Sequence, residues 1–304
     1  MDLYIKHQPK TFSELIGNVD TKNSLIAKIE QNKLPHALLF TGESGTGKTT
    51  IGEIVSNEIG AEETDFNYID AASYGGIDGV RKMRESMRFG ADGKAKVYLL
   101  DEIHCMQKAA QNALLQALAK PPSWVYFILC TTDPQALLST VKSRCTHYEM
   151  EMLNEKQLTV LINRIAKREK VRIPKVVTKS IVTACNGKPR RALTILEKVI
   201  HLPPDNMKKQ VDIENETKSS GFELAQLLFK GGSWLSGVKL LKNLKNENPE
   251  KIRRIIYSYM ISVISNKTNP RAHFVMYCFD EPLYDDGMNK LWYLCHAILN
   301  DLEI

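Results

Sequence analysis

The stretch Gly42-Glu43-Ser44-Gly45-Thr46-Gly47-Lys48-Thr49 decides how the rest of this chain reads. It spells Gly, four residues, Gly, Lys, Thr, the spacing of a phosphate-cradling P-loop. Its flanks fit that reading. The apolar run His36-Ala37-Leu38-Leu39-Phe40 ahead of it predicts a buried strand, and Thr49 to Ile59 behind it predicts a helix. Strand, Gly-rich turn and helix in that order aim backbone N–H groups and the positive end of a helix at phosphate. Gly42 to Thr49, with Thr50, are therefore the candidate nucleotide-binding residues. Lys48 would reach the β- and γ-phosphates of ATP, and the Thr49 hydroxyl would hold Mg²⁺. A Gly-rich turn alone says little; the terminal Lys-Thr and the flanks carry the argument.

Val97-Tyr98-Leu99-Leu100-Asp101-Glu102 is the second anchor. Four mostly apolar residues predict a buried strand that delivers two carboxylates at its end. Asp101 would join the Mg²⁺ shell, and Glu102 would orient, or take a proton from, the water attacking the γ-phosphate. An acidic strand end is common by itself, but downstream of a full P-loop it completes a nucleotide-hydrolysing pair.

Length and composition bound the remainder. With 304 residues, 43% hydrophobic and 25% charged, the chain has material for a real core and about two domains of ordinary size. A net charge of +6 is a mild excess that permits a polyanionic partner without requiring one. Cys105, Cys130, Cys145, Cys185, Cys278 and Cys295 form no Cys-x-x-Cys pair, which argues against a zinc ribbon; several sit in apolar runs, where a buried thiol is expected, in a reducing compartment. The opening Met1-Asp2-Leu3-Tyr4-Ile5-Lys6 does not read as a signal peptide. No apolar run approaches the roughly 20 residues of a membrane span. The expectation is a cytoplasmic protein.

Residues 1–152 alternate strand-like stretches (Ala37–Phe40, Asn67–Ile69, Val97–Leu100, Val125–Cys130, His147–Glu151) with helical ones (Asn18–Gln31, Thr49–Ile59, Ile77–Arg88, Ala109–Ala119). Such alternation predicts an α/β fold, a parallel sheet covered by helices on both faces, with phosphate at the carboxyl end of the strand before the loop. Residues 153–205 lose the strands. Leu158, Leu161, Ile162 and Ile165 recur at helical spacing, and Pro174–Cys185 and Arg190–Ile200 follow as helices. The polar segment Lys208 to Ser220 reads as a linker. Beyond Gly221, helical patterns at Phe222–Phe229, Leu235–Leu244, Lys251–Ser265 and Gly287–Asp301 make 206–304 a helical domain. His36, His147 and His296 lie in apolar stretches and read as satisfied core residues. His104, beside Asp101-Glu102, stands where it could back the acidic pair.

Ser143-Arg144-Cys145 follows Val141-Lys142 and precedes a short strand. Here the chain resembles the AAA+ sliding-clamp loader ATPases, replication factor C small subunits and the bacterial DNA polymerase III gamma/tau subunit. In those families Ser-Arg-Cys supplies an arginine finger to a neighbouring subunit's ATP. Such a finger stabilises transition-state charge and can be worth roughly 10³–10⁵ in rate. Further motifs carry the likeness across about residues 3–200. Lys6-His7-Gln8-Pro9-Lys10-Thr11-Phe12 resembles the Lys-Tyr-Arg-Pro-x-x-Phe opening near the adenine, departing at His7 and Gln8. Phe12, Ile16 and Gly17 match the next adenine-side element, and Asp70-Ala71-Ala72-Ser73 the Asp/Asn-Ala-Ser segment. Ala109-Ala110-Gln111-Asn112-Ala113-Leu114-Leu115 and Pro121-Pro122 resemble gamma/tau. Thr131-Thr132-Asp133-Pro134-Gln135 resembles sensor 1, with Thr132 sensing the γ-phosphate. Gly187-Lys188-Pro189-Arg190-Arg191-Ala192-Leu193 resembles sensor 2, with Arg190 reaching the phosphates and Arg191 a solvated neighbour.

The resemblance implies an ATPase subunit of a clamp loader that uses ATP and Mg²⁺ to open a sliding clamp and place it on primer–template DNA. Residues 153–205 become a lid, and 206–304 a collar joining the subunits, five in the resembling assemblies. Glu102, Arg144 and Lys48 carry catalysis. DNA would be held through its phosphates by Arg81, Lys82, Arg84 and Lys108, on helices that line the channel in the family, with salt sensitivity and no base reading. Gln111 stands where the family couples DNA to the ATP site. Met87-Arg88-Phe89-Gly90 could touch the clamp or be buried. The stretch Glu53 to Asp70 holds no Cys, unlike the zinc module of bacterial gamma/tau, and at 304 residues the chain is expected to lack the long tail of tau. A compact viral or archaeal-like subunit fits better, in a host cytoplasm if viral. Two other readings stay open. A Holliday-junction branch-migration motor would share both anchors but favours a winged helix, and no β-ribbon pattern follows Ile213. A non-hydrolysing structural subunit is opposed by the intact Lys48, Asp101 and Glu102.

Overall fold

The computed structural model describes residues 2–74, 76–266, 269–283 and 287–300. They fall into two units, 1–207 and 208–304. In the first, five strands, β1 (Ala37–Thr41), β2 (Phe66–Asp70), β3 (Lys96–Asp101), β4 (Val125–Thr131) and β5 (Thr146–Glu149), form a sheet in the order β2-β3-β4-β1-β5. Every pairing is parallel. All five expected strands are present, each within one or two residues of the sequence-based bounds.

The strands are apolar runs because both sheet faces are covered. Alternate residues go to opposite faces. Leu39, Tyr98, Leu100, Phe127 and Leu129 pack with Val80 and Met83 of α5 (Ile77–Ser86) and with Ala110 and Leu114 of α6 (Lys108–Ala119). Leu38, Phe40, Val97, Leu99 and Ile128 pack with Leu25 of α2 (Val19–Glu30) and with Ile51, Ile54 and Val55 of α3 (Lys48–Glu58). Sequence reasoning missed the short helices α1 (Leu3–Lys6), α4 (Ala71–Tyr74) and α7 (Ser139–Lys142). A single turn has no periodicity to read.

Helices α8 (Glu155–Arg168), α9 (Lys175–Cys185) and α10 (Pro189–Val199) pack on one another, and α1 packs on α10. The α8 start is set by a capping box: Asn154 Oδ1 accepts from the Gln157 amide and Gln157 Oε1 from the Asn154 amide, both at 2.9 Å. The N-terminal segment is tied to the other end of α8. Lys6 and His7 both pair with Glu169, and Arg168 bonds Glu14 at 2.7 Å.

The second unit is all helix among its described residues. It begins inside α11 (Pro204–Lys230) and continues with α12 (Trp234–Asn243), α13 (Pro249–Asn266), α14 (Pro270–Cys278) and α15 (Gly287–Leu299). This corrects the linker reading of 208–220. Polar composition does not break a helix, and that stretch holds neither Gly nor Pro; Pro204 starts α11, where a missing N–H costs nothing. Asp301, the expected end of the last helix, lies outside the described residues. Leu224, Leu228, Leu241 and Leu244 are fully buried in the unit's own core, together with Ile252, Ile256, Val275 and Cys295. Internal packing therefore accounts for the leucine spacing beyond Gly221.

Glu250 is the electrostatic key of this unit. Its carboxylate accepts from Arg253 Nε at 2.8 Å, Arg254 Nε at 3.0 Å and the Leu283 amide at 3.0 Å. The Arg253 hydrogen bond and the Leu283 amide, opposed by burial, pull its pKa from 4.5 to about 2. A lowered carboxylate pKa contributes stability that is present above about pH 4.5 and lost as pH falls toward 2. Glu250→Gln should cost on the order of 2–3 kcal/mol at neutral pH. It should also flatten the acid limb of a circular-dichroism unfolding titration in that window.

Candidate functional site

The Gly-rich loop leaves the end of β1, an interior strand between β4 and β5, and enters α3. All three of its glycines, Gly42, Gly45 and Gly47, sit at positive φ. Gly42 has φ of 139°, and a Cβ there would lie 2.4 Å from the Met150 carbonyl oxygen. Gly47, the residue before α3, has φ of 103°, in the left-handed region that L side chains avoid. The turn this permits leaves the first amides of α3 without intrahelical partners, the arrangement that receives anions.

A cavity of about 330 Å³ opens over this loop. Its floor is Ser44 to Thr50, one wall Asp101 and Glu102, and the other walls the N-terminal segment and the α10 residues Pro189, Arg190 and Leu193. Lys48 is buried, donating from Nζ to the Gly42 and Glu43 carbonyls at 2.9 and 3.0 Å. Burial lowers its pKa, while Glu102 and Asp101 pull it back up. Thr49 Oγ1 donates to Asp101 Oδ2 at 2.8 Å, so hydroxyl and carboxylate converge on one point from α3 and β3. A hard divalent cation takes such oxygen ligands and keeps several waters. Mg²⁺ therefore fits the donor set.

Glu102 sits at φ of 47°, a left-handed conformation unusual for a non-glycine residue. Its Oε2 accepts from Thr132 Oγ1 at 3.1 Å and lies 3.3 Å from His104 Nδ1. Strained backbone of this kind persists where the surroundings over-determine it, most often at functional sites. Thr132, expected as a phosphate sensor, is thus wired to the adjacent acid, and His104 backs it as the sequence allowed. Arg190 reaches the cavity from α10 with its guanidinium 5.4 Å from the Tyr4 ring centroid. Beside it Lys188 pairs with Glu43 of the loop at 2.6 Å, which lowers the Glu43 pKa.

Several sequence-based placements need correction. Ile16 lines the cavity, but Phe12 and Gly17 do not. Phe12 is buried in the sheet core, and Gly17 faces Leu153. Tyr4, Ile5, His7, Gln8 and Pro9 line that side instead. Arg191 is half-buried rather than solvated, its Nε without a hydrogen-bond partner. Met87 is core, whereas Phe89 is 71% exposed. Sequence reasoning missed Tyr68 and Glu53, both on the cavity wall. Tyr68 Oη donates to Asp101 Oδ2 at 3.3 Å, and burial together with Asp101 raises its pKa to about 12. It sits on the edge strand β2, and strand alternation alone cannot show that an edge residue leans over a neighbouring strand's end.

Arg144 follows α7 on the exposed surface, donating to the Thr140 carbonyl at 3.0 Å, and does not line its own chain's cavity. Arg81, Lys82 and Arg84 lie on the solvent side of α5, and Lys108 is exposed at the start of α6. Gln111 is buried: Nε2 donates to the Met106 carbonyl at 3.1 Å, and Oε1 accepts from the Leu138 amide at 2.9 Å.

The parallel five-strand sheet, the P-loop after its interior strand β1 and the acidic pair on the next strand but one make up a P-loop α/β fold of the AAA+ type. The Thermotoga maritima RuvB Holliday junction branch migration motor has the same fold, with a TM-score of 0.62 over 74% of this chain and 81% of that one, at 21% identity. In sequence, the chain resembles AAA+ clamp-loader subunits, as its motifs suggested. It is 30% identical over 228 residues to the Bacillus subtilis DNA polymerase III subunit tau, covering 68% of this chain and 40% of the relative. It is 29% identical over 224 residues to the gamma/tau subunit of Mycobacterium tuberculosis, covering 66% and 39%. The Escherichia coli tau subunit matches at 29% over 217 residues, 64% and 34%. The family model "DNA polymerase III, delta subunit" matches residues 61–154. The chain spans between about a third and two fifths of the length of these three relatives.

Proposed function

We propose that this chain is an ATPase subunit of a sliding-clamp loader, binding MgATP in the cavity above its P-loop and hydrolysing it across a subunit interface. The observation that carries the reading is the division of the catalytic set. Lys48, Thr49, Asp101, Glu102 and Arg190 line one cavity, with Thr132 bonded to Glu102 behind it, while Arg144 stands exposed outside it.

The loop amides and Lys48 would hold the phosphates. Thr49 and Asp101 would hold Mg²⁺, which supplies charge neutralisation at the β- and γ-oxygens. Tyr68 keeps the Asp101 carboxylate aimed at the Thr49 side. Glu102 orients the attacking water and is itself held by Thr132. Arg190 brings residues 153–205, acting as a lid, onto the phosphates. The Arg144 guanidinium completes the neighbouring protomer's site. Residues 206–304 would act as the collar of a five-membered assembly with other loader subunits, and the cycle would open a sliding clamp and release it on primer–template DNA.

Arg81, Lys82, Arg84 and Lys108 would grip the DNA phosphates. ATP-dependent binding to primer–template DNA should therefore weaken with salt irrespective of sequence. Lys82→Ala should reduce the slope of log K against log salt by about 0.9. An unchanged slope would remove Lys82 from the interface. The reading as a whole is tested by native mass and turnover: a five-membered or mixed assembly with DNA- and clamp-stimulated ATPase supports it, and a hexamer active without a clamp favours a branch-migration motor.

A further inference from the structure

We propose that Gln8 and Glu53 form the nucleoside-selecting pair of the cavity, the Glu53 carboxylate accepting a hydrogen bond from the bound nucleoside. This rests on the nucleotide reading above. Glu53 lies on α3 four residues beyond Thr49, so both face the same side of the helix. Gln8 comes from the segment that leaves α1 and reaches the same wall. Gln8 Nε2 donates to Glu53 Oε2, which fixes the carboxylate in place.

An ionised carboxylate has about four acceptor positions and no donor. Gln8 fills one of them. The group is half-buried, and burial and then the charge of Asp101 raise its pKa, so a further donor at its remaining acceptor positions would stabilise the charged form. Phosphate cannot supply it, because phosphate oxygens are acceptors and the loop amides and Lys48 already claim that end. The nucleoside can: its donors are the exocyclic amine of adenine and the ribose hydroxyls. A guanine O6 placed at the same point would set acceptor against acceptor, a mismatch that costs more than a missing contact. The shared chemistry is a nucleoside hydrogen-bond donor, and the choice of analogue separates its two sources.

The test is equilibrium binding of ATP, GTP, 2′-deoxy-ATP and 3′-deoxy-ATP to the full chain and to Glu53→Ala and Glu53→Gln. The wild-type chain is expected to prefer ATP about tenfold or more over the analogue that lacks the donor. Glu53→Ala should bring that one ratio close to one and leave the others as they were. GTP identifies the amine as the source, a deoxy analogue the hydroxyl. Glu53→Gln, which keeps an acceptor oxygen, should retain part of the preference. Ratios unchanged in Glu53→Ala, or equal losses for every nucleotide, would overturn the proposal and leave the pair as a pin for the N-terminal segment. In that case ATP binding would still depend on Lys48. A wild-type chain that binds none of the four overturns both this proposal and the nucleotide reading.

Discussion

Lys48→Ala is expected to leave a folded chain that no longer binds ATP at working concentrations. Lys48 is the buried cation beneath the cavity, and its ammonium bonds two loop carbonyls, Gly42 and Glu43. With a triphosphate present, those donors turn to the β- and γ-phosphates. Two charge-assisted hydrogen bonds lost at about 1.5–3 kcal/mol each weaken binding roughly 10²–10⁴-fold. Stability should change little. Burial already disfavours the charged form of this lysine, so its removal also relieves a desolvation cost. Calorimetric titration with ATP checks the affinity and a thermal melt checks the fold. Affinity within about twofold of wild type would remove the P-loop from the mechanism.

Arg144→Ala is expected to separate binding from turnover. Each chain should bind ATP as before, because Arg144 does not line its own cavity. Turnover by the assembled complex should fall roughly 10³–10⁵-fold, the worth of a cation placed on the γ-phosphate in the transition state. Steady-state phosphate release alongside nucleotide binding distinguishes the two. Equal loss in both would mean that Arg144 supports the fold of the α7 corner rather than a neighbour's chemistry.

Where the chemistry is local, the chain announces it. The P-loop spacing, the apolar run that ends in Asp101-Glu102 and the alternation around Ala37, Val97 and Val125 each follow from rules spanning a few residues. The five strands and the residues gathered at the P-loop cavity were legible from them. The N-terminal side of that cavity was not. Phe12 reads as a cavity residue from its motif, yet it is apolar and goes to the core, while Tyr4, His7 and Gln8 reach the cavity because Lys6 and His7 are tied to Glu169 just past the end of α8. No spacing rule encodes a contact 162 residues away in sequence. Lys208–Ser220 fails for another reason: a polar stretch without Gly or Pro reads as linker by composition but forms helix, its charged residues being tolerable helix formers.

The most direct test mixes two inactive variants. Lys48→Ala chains keep the finger but cannot hold ATP; Arg144→Ala chains hold ATP but lack the finger. If the site is completed in trans, assemblies formed from the mixture contain interfaces at which a wild-type Arg144 faces an intact ATP site, and ATP turnover should recover well above that of either variant alone. A mixture that assembles and stays as inactive as its components would contradict the shared site.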